Sequence, residues 1–217
     1  MFTYKMRQMI CLGLTVAFVA PVWGDELKKV DQLIRETVDQ VLTVVRNNEL
    51  NADEKVEKVM DVVIPVFDLP LMAKLTLGKI NWPKFSVEQR EKFTGLFVTQ
   101  LRESYLGNVE MVADEEVEFE KPFYKSQKAH MMTRVITKED PVEILYKLYF
   151  KEKLKKWLVY DVEIQGISIV TSYGMQYDQV LQKGTVEELL QKMEERTGQN
   201  KKEIAAPEEE NHTPQQQ

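Results

Sequence analysis

The run at residues 157–177, W-L-V-Y-D-V-E-I-Q-G-I-S-I-V-T-S-Y-G-M-Q-Y, constrains this chain more than any other. Its first half alternates. Leu158, Tyr160, Val162 and Ile164 take one side, and Trp157, Val159, Asp161 and Glu163 the other. That is the period of a half-buried strand. Gly166 ends it. Beyond the glycine, Ile167, Val170, Tyr173, Gly174 and Tyr177 recur at helical spacings, so a helix is predicted to begin near Ser168. A strand that passes through one glycine into an apolar helix lays that helix against the end of its own sheet. The rest of the chain is expected to complete the walls of a chamber.

The N-terminal half reads as helices. Residues 25–48 set Leu27, Val30, Leu33, Ile34, Val38, Val41, Leu42 and Val45 at helical spacings among charged residues. Asn51 is a predicted N-cap with Glu54 reaching back to it, and Val56, Val59, Met60 and Val63 follow as far as Pro65. Asp68 is a predicted cap for a short helix that tolerates Pro70 in its first turn and ends at Gly78. Its Leu71, Met72, Leu75 and Leu77 make it dense in apolar surface. Ser86 and Gln89 form another capping pair. The helix after them presents Phe93, Phe97, Leu101 and Tyr105 on one face, a stripe that periodicity assigns to core before ligand wall.

After Asn108 the period changes to two. Residues 116–120, 128–137, 142–151 and the run from Trp157 read as four strands. Short turns at 138–141 and 153–156 make neighbours antiparallel. Val142, Ile144, Tyr146, Leu148 and Phe150 alternate with Glu143, Lys147 and Lys151, so one face is apolar and the other charged, apart from Leu145 and Tyr149. The expected class is α+β: a curved four-stranded antiparallel sheet with several helices covering one face. Thr185 and Glu188 cap a last amphipathic helix over residues 186–196, with Leu189, Leu190 and Met193 to dock. From residue 199 to 217 the chain is mostly Lys, Glu, Pro and Gln, the composition of a disordered tail.

Residues 1–24 have the pattern of a secretory signal. Lys5 and Arg7 precede an apolar run over residues 9–20, Pro21 breaks it, and Val22 and Gly24 suit a cleavage site. The run is short for a bilayer span, so cleavage is preferred to an uncleaved anchor. Cys11 is the one cysteine, and its loss would leave no disulfide, thiol nucleophile or thiolate metal site. About 190 residues remain, enough for a single domain over 25–198 with its own core. The full chain carries a formal charge of −6, and loss of Lys5 and Arg7 makes it more acidic. Nucleic acid is therefore a poor partner.

The inventory of reactive groups is short. The two histidines are His130, in a strand, and His212, in the tail. No His/Asp/Glu spacing suits a metal, and there is no nucleophile elbow or phosphate loop. No cofactor or metal is expected. Asp68, Asp114 and Asp161 are the acidic residues that stand out, and Asp68 has a sufficient structural role as a cap. Asp161 sits among apolar neighbours, either buried against a donor or an acid in a pocket. No partner for a base is visible, which favours the structural role.

The run from Trp157 resembles the hallmark segment of the MlaC family, the periplasmic phospholipid-binding proteins also known as toluene-tolerance auxiliary components of ABC transporters. The family pattern is roughly Trp-x-Val-Tyr-Asp-x-x-x-x-Gly-x-Ser, then Asn-Tyr-Arg and Gln-Phe. Upstream, F-D-L-P-L-M-A-K-L-T-L-G, Trp82, S-V-E-Q-R-E-K-F and Tyr105 are similar to a second family run. Gly174 stands where the family usually has arginine. The resemblance implies a carrier, not an enzyme, that moves glycerophospholipid between an outer-membrane lipoprotein–porin complex and an inner-membrane MCE-type ABC transporter, maintaining outer-membrane lipid asymmetry. It implies a monomer in the Gram-negative periplasm, with bound phospholipid as cargo. The residues assigned to lipid contact are Met72, Leu75, Phe97, Leu101, Tyr105, Tyr146, Leu148, Val159, Tyr160, Val162, Ile164 and Tyr173. With no basic cluster or metal site near this pocket, binding should depend weakly on headgroup charge. The competing readings are a hopanoid-associated paralogue, a periplasmic chaperone for apolar peptides, and a small-molecule enzyme on a steroid-isomerase-like cone using Asp161.

The leader makes a direct prediction. N-terminal sequencing of protein taken from cells should begin at Asp25, and recovery of an intact Met1 form in the inner membrane would overturn it.

Overall fold

A computed structural model describes residues 23–106, 113–138 and 140–204. The leader's apolar run, the tail from residue 205 with His212, and the side chain of Tyr105 lie outside the described residues. The chain runs through α1 (Trp23–Val45), α2 (Ala52–Val63), α3 (Leu69–Asn81), a 3₁₀ turn (Trp82–Lys84) and α4 (Val87–Leu101), which continues as a π-helical turn (Arg102–Leu106). Strands β1 (Glu116–Phe119), β2 (Phe123–Lys125), β3 (Lys128–Ile136), β4 (Val142–Lys151), β5 (Lys156–Ile164) and β6 (Ile167–Ser168) follow, then α5 (Ile169–Leu181) and α6 (Val186–Ile204).

The caps read from sequence hold. Asn51 and Glu54 bond each other's backbone N–H, as do Ser86 and Gln89. Thr185 and Glu188 repeat the device before α6. Gly78 breaks α3 with φ +62°, and the chain then takes one more turn to Asn81. That left-handed conformation suits glycine. α6 runs past Arg196 to Ile204, further than expected, because buried Leu189, Leu190 and Met193 nucleate a helix that Lys and Glu can propagate.

The antiparallel sheet has the order β1-β3-β4-β5-β6, with β2 also on β3. It has six strands rather than four. The two additional strands are very short. β2 turns into β3 through Ser126 and Gln127, both at positive φ, and β6 folds back on β5 through Gln165 and Gly166 in the same way. Such two-residue turns match strand twist but normally advertise themselves with Asn-Gly or Gly-X.

A larger correction falls on β5. Leu148 pairs with Val159 but Lys147 with Asp161, so Tyr160 is an extra residue in a β-bulge. The expected alternation is therefore interrupted. Val159 and Val162 share the inner face with Leu148 and Tyr146, their cross-strand partners. Tyr160 instead packs edge-on against Tyr149, on the outer face, beneath the Lys128 ammonium.

The helices cover the inner face. Phe93 and Phe97 of α4 are fully buried and meet Tyr177 and Tyr173 of α5 edge-on, with centroids 5.2 Å and 5.5 Å apart. Burial raises the Tyr177 phenol, whose hydroxyl donates to Gln100 Oε1 at 2.8 Å. α5 also approaches α3 closely: a Cβ on Gly174 would lie 2.9 Å from the Thr76 carbonyl oxygen. Gly174→Ala is therefore expected to destabilise by about 1–2 kcal/mol, because overpacking against backbone outweighs the gain in helix propensity. Thermal melting should fall by roughly 2–8 °C.

Candidate functional site

A cavity of about 220 Å³ lies between the inner face of the sheet and the helices. Its walls come from several elements: Met60 and Val63 of α2, Phe67 before α3, Leu69 and Met72 of α3, Val98 and Leu101 of α4, Ile144 and Tyr146 of β4, Val162 and Ile164 of β5, and Ile169 of α5. Arg102, on the π-helical turn, completes the lining and is its one charged member among the described residues. Leu69, Met72, Val162 and Ile169 are buried, whereas Met60, Val63, Val98, Leu101, Ile144 and Ile164 are half-buried. The first group forms a dry floor and the second a rim. Burial raises the Tyr146 phenol above its ordinary value.

Why this space stays unfilled is visible in α2. Its buried Val59 packs with Val45 of α1 in a small cluster separate from the main core, joined by Val41, Val44, Val63 and Ala113. Met60 and Val63 thus roof the cavity without pressing into it. Below, the segment before α3 is fixed to the edge of β5: Val159 N–H donates to Val66 O at 2.9 Å, and Asp68 N–H to Val159 O at 2.8 Å.

Two buried carboxylates fasten the helices around the cavity. Asp68 caps α3, accepting from Leu71 N–H at 3.2 Å, from Lys151 Nζ at 2.6 Å and from the Tyr149 hydroxyl. Burial alone would raise its carboxyl, but Lys151, Tyr149 and the Leu71 amide together hold it below the ordinary value. Asp161 accepts from Lys147 Nζ at 3.0 Å, Ser168 Oγ at 2.8 Å and Val170 N–H at 3.2 Å. Lys147 also bonds Glu163; burial lowers its ammonium, but the two carboxylates outweigh that and raise it.

The comparisons bear on this architecture directly. The profile described as MlaC protein matches residues 35–195, which contains every element from the C-terminal part of α1 to the docked part of α6. The chain belongs to the MlaC family. A phospholipid-binding protein from Ralstonia solanacearum, solved in complex with a phospholipid, shares the fold at a TM-score of 0.71 and 23% identity, over 79% of this chain and 98% of that one. A comparison with curated proteins returns no match.

In this MlaC-family member the cavity brings together Met72, Leu101, Tyr146, Val162 and Ile164 from the residues assigned to lipid contact by sequence. Phe97, Leu148 and Val159 face inward but are fully buried in packed core behind the lining, and Tyr173 is buried with its hydroxyl on Ser104 Oγ at 3.1 Å. Leu75 is 40% exposed on the outside of α3, since the buried stripe of that helix runs through Met72, Ala73, Thr76 and Leu77. Tyr160 is turned outward by the bulge. Asp161 lies on the side of Lys147, away from Tyr146, with its oxygens occupied, so it is a fastening and not an acid in the chamber. Among the described residues no group of acidic, histidine or cysteine side chains is arranged for a metal, and no helix is long and apolar enough to cross a membrane.

Sequence reasoning missed Met60, Val63, Phe67, Leu69, Val98, Arg102, Ile144 and Ile169 as lining. Ile144 was within reach, two residues from Tyr146 on the same face. Met60 and Val63 were not, because their stripe is indistinguishable from one that docks on the core.

Asp68 carries the prediction for this site. Asp68→Ala is expected to cost about 2–3 kcal/mol at neutral pH, from a lost cap and two donors left without an acceptor, discounted because Lys151 is a third exposed. The folded carboxyl is depressed, so its stabilisation is present above the unfolded value near 4 and is lost as pH falls through the folded value. Urea unfolding should show the gap between wild type and variant narrowing in acid; a gap independent of pH would overturn the assignment.

Proposed function

We propose that this protein is a phospholipid carrier whose cargo inserts its acyl chains into the cavity between sheet and helices. The observation that carries the reading is the lining itself: apolar from floor to rim, built by α2, α3, α4, α5 and two strands, with a single cation beside it. Membership of the MlaC family and the phospholipid in the Ralstonia relative support it. Contact would fall to Met72, Leu101, Tyr146, Val162 and Ile164, with Met60, Phe67 and Ile144 added.

The physics requires no catalyst. Each methylene kept from water is worth about 0.8 kcal/mol, so a two-chain lipid does not cross water unaided. Exchange between a bilayer and an apolar pocket trades one oily surrounding for another, and modest contacts with partners can tip it either way. On this reading the protein is exported by a cleaved leader and works in the periplasm as a monomer. It passes lipid between an outer-membrane lipoprotein–porin complex and an inner-membrane MCE-type ABC transporter, and so keeps the two leaflets of the outer membrane distinct. The cavity of about 220 Å³ is below the roughly 300–1,000 Å³ of a pocket that engulfs a drug-sized ligand. Loading therefore has to widen it.

The test pairs two substitutions. Leu148 is fully buried behind the lining, so Leu148→Asp should lose several kcal/mol and unfold the domain. Ile144 is half-buried at the rim, so Ile144→Asp should stay folded, its carboxylate reaching water, and lose lipid. Thermal melting and native mass spectrometry of the purified proteins measure both. Wild type without co-purifying phospholipid, or a folded Ile144→Asp with its full lipid complement, would refute the reading.

A further inference from the structure

Arg102 is the one charged residue in a lining otherwise made of hydrocarbon and one phenol. It stands where α4 gives way to the π-helical turn, a local unwinding that re-aims side chains and recurs at functional sites. Its side chain is 38% exposed, so it borders the cavity and solvent together. There it holds Glu57 of α2, Nη2 to Oε1 at 2.5 Å. This pair joins the roof of the cavity to the end of α4. It is a polar tie between α2 and the end of α4, away from the cluster in which Val59 packs with Val45 of α1.

We propose that Arg102 is the receptor for the phosphodiester of the cargo, and that the phosphate takes the place of Glu57. The inference rests on the carrier reading above. An acyl chain lying on buried Met72 and Val162 would direct its glycerol end toward the half-buried rim, to which Leu101 and the partly exposed Arg102 belong. A guanidinium presents paired donors that fit phosphate as well as carboxylate, so the exchange replaces one charge-assisted contact with another. Its consequence is mechanical. With Glu57 released, α2 loses one tie to the end of α4 while keeping its packing on α1, and movement of the segment between Asn51 and Pro65 would widen a cavity too narrow for two chains. Every glycerophospholipid carries a phosphate, a phosphodiester wherever a headgroup alcohol is attached, so Arg102 separates them from neutral lipids without sorting one headgroup from another. The weak dependence on headgroup charge expected from sequence is compatible with this, since one arginine is not a basic cluster.

The experiment loads full-length mature protein from vesicles containing phosphatidylethanolamine, phosphatidylglycerol or diacylglycerol of matched chains, and counts bound lipid by native mass spectrometry. Wild type should hold both phospholipids over diacylglycerol by about fivefold or more, as a charge-assisted contact a third exposed to water permits. Arg102→Gln should bring that ratio near unity, Arg102→Lys should restore part of it, and Glu57→Gln should load phospholipid faster than wild type. The pair is exposed, so melting should barely change. If Arg102→Gln does not fold, the salt dependence of the wild-type ratio decides, because recognition by charge weakens as salt rises. Equal loading of all three lipids by wild type, an unchanged ratio in Arg102→Gln, or a ratio indifferent to salt would overturn the proposal while leaving the carrier reading intact. No loading of any lipid would overturn both.

Discussion

Asp68 and Asp161 fasten two helices to one strand. Asp68 caps α3 and takes Tyr149 and Lys151 of β4; Asp161 takes Lys147 of β4 and the first turn of α5. Hydrophobic attraction between helix and sheet is not directional, so on its own it would let the helices slide until the cavity closed. Measured costs of buried voids, about 24 cal/mol per Å³, put the drive to close 220 Å³ at no more than about 5 kcal/mol. Breaking a fully buried charge pair by stranding one partner costs about 3–5 kcal/mol, which at Asp68 falls to about 2–3 kcal/mol because Lys151 is a third exposed. Two such nodes, one at the N-terminus of each helix, are enough to hold an apolar space open. Their directional bonds do what apolar packing cannot.

Seen this way, the hallmark run is a positioning device. The bulge at Tyr160 puts Val162 and Ile164 into the cavity lining while leaving Asp161 beside Lys147. An uninterrupted alternation would set Val159 and Asp161 on the same side, and with Val159 inward the carboxylate would enter the hydrocarbon. Gly166 then reverses the chain tightly enough for Ser168 to reach Asp161 and cap α5. One extra residue and one glycine thus sort a buried charge from an apolar wall within a few residues of each other.

How much of this the sequence discloses follows from the range of each interaction. Caps at Asn51, Asp68, Ser86 and Thr185 are legible because donor and acceptor are within one turn. The four longer strands are legible because their period is local. The bulge is not: Leu158, Val159, Tyr160 and Val162 are all apolar, so shifting the alternation by one residue leaves the pattern equally good. β2 and β6 are too short to show a period. For the cavity, inward direction was readable at Met72, Leu101, Tyr146, Val162 and Ile164. Phe97, Leu148 and Val159 look the same in sequence, because periodicity gives the direction of a side chain and not whether another side chain fills the space in front of it. Met60 and Arg102 depend on where α2 settles, which is decided by its cluster with Val45 far from either residue in the chain.

That separation of α2 from the main core divides the labour of the site. The floor, made of Leu69, Met72, Val162 and Ile169, belongs to the rigid part and offers only dispersion and the exclusion of water. Such a surface tolerates chains of different length and saturation, the more so with flexible Met60 and Met72 in its walls. The rim carries the one charge. On the proposed reading, capacity and discrimination would be set by different residues and could change independently: a methyl gained or lost on the floor would alter how much hydrocarbon is held, while the pair at Arg102 and Glu57 would govern when the roof is fastened. A single rigid pocket, matched to one lipid throughout, would bind more tightly but release poorly. A carrier that must surrender its cargo is better served by a non-specific floor, a weakly tied roof and a polar contact placed where solvent and partners can compete for it.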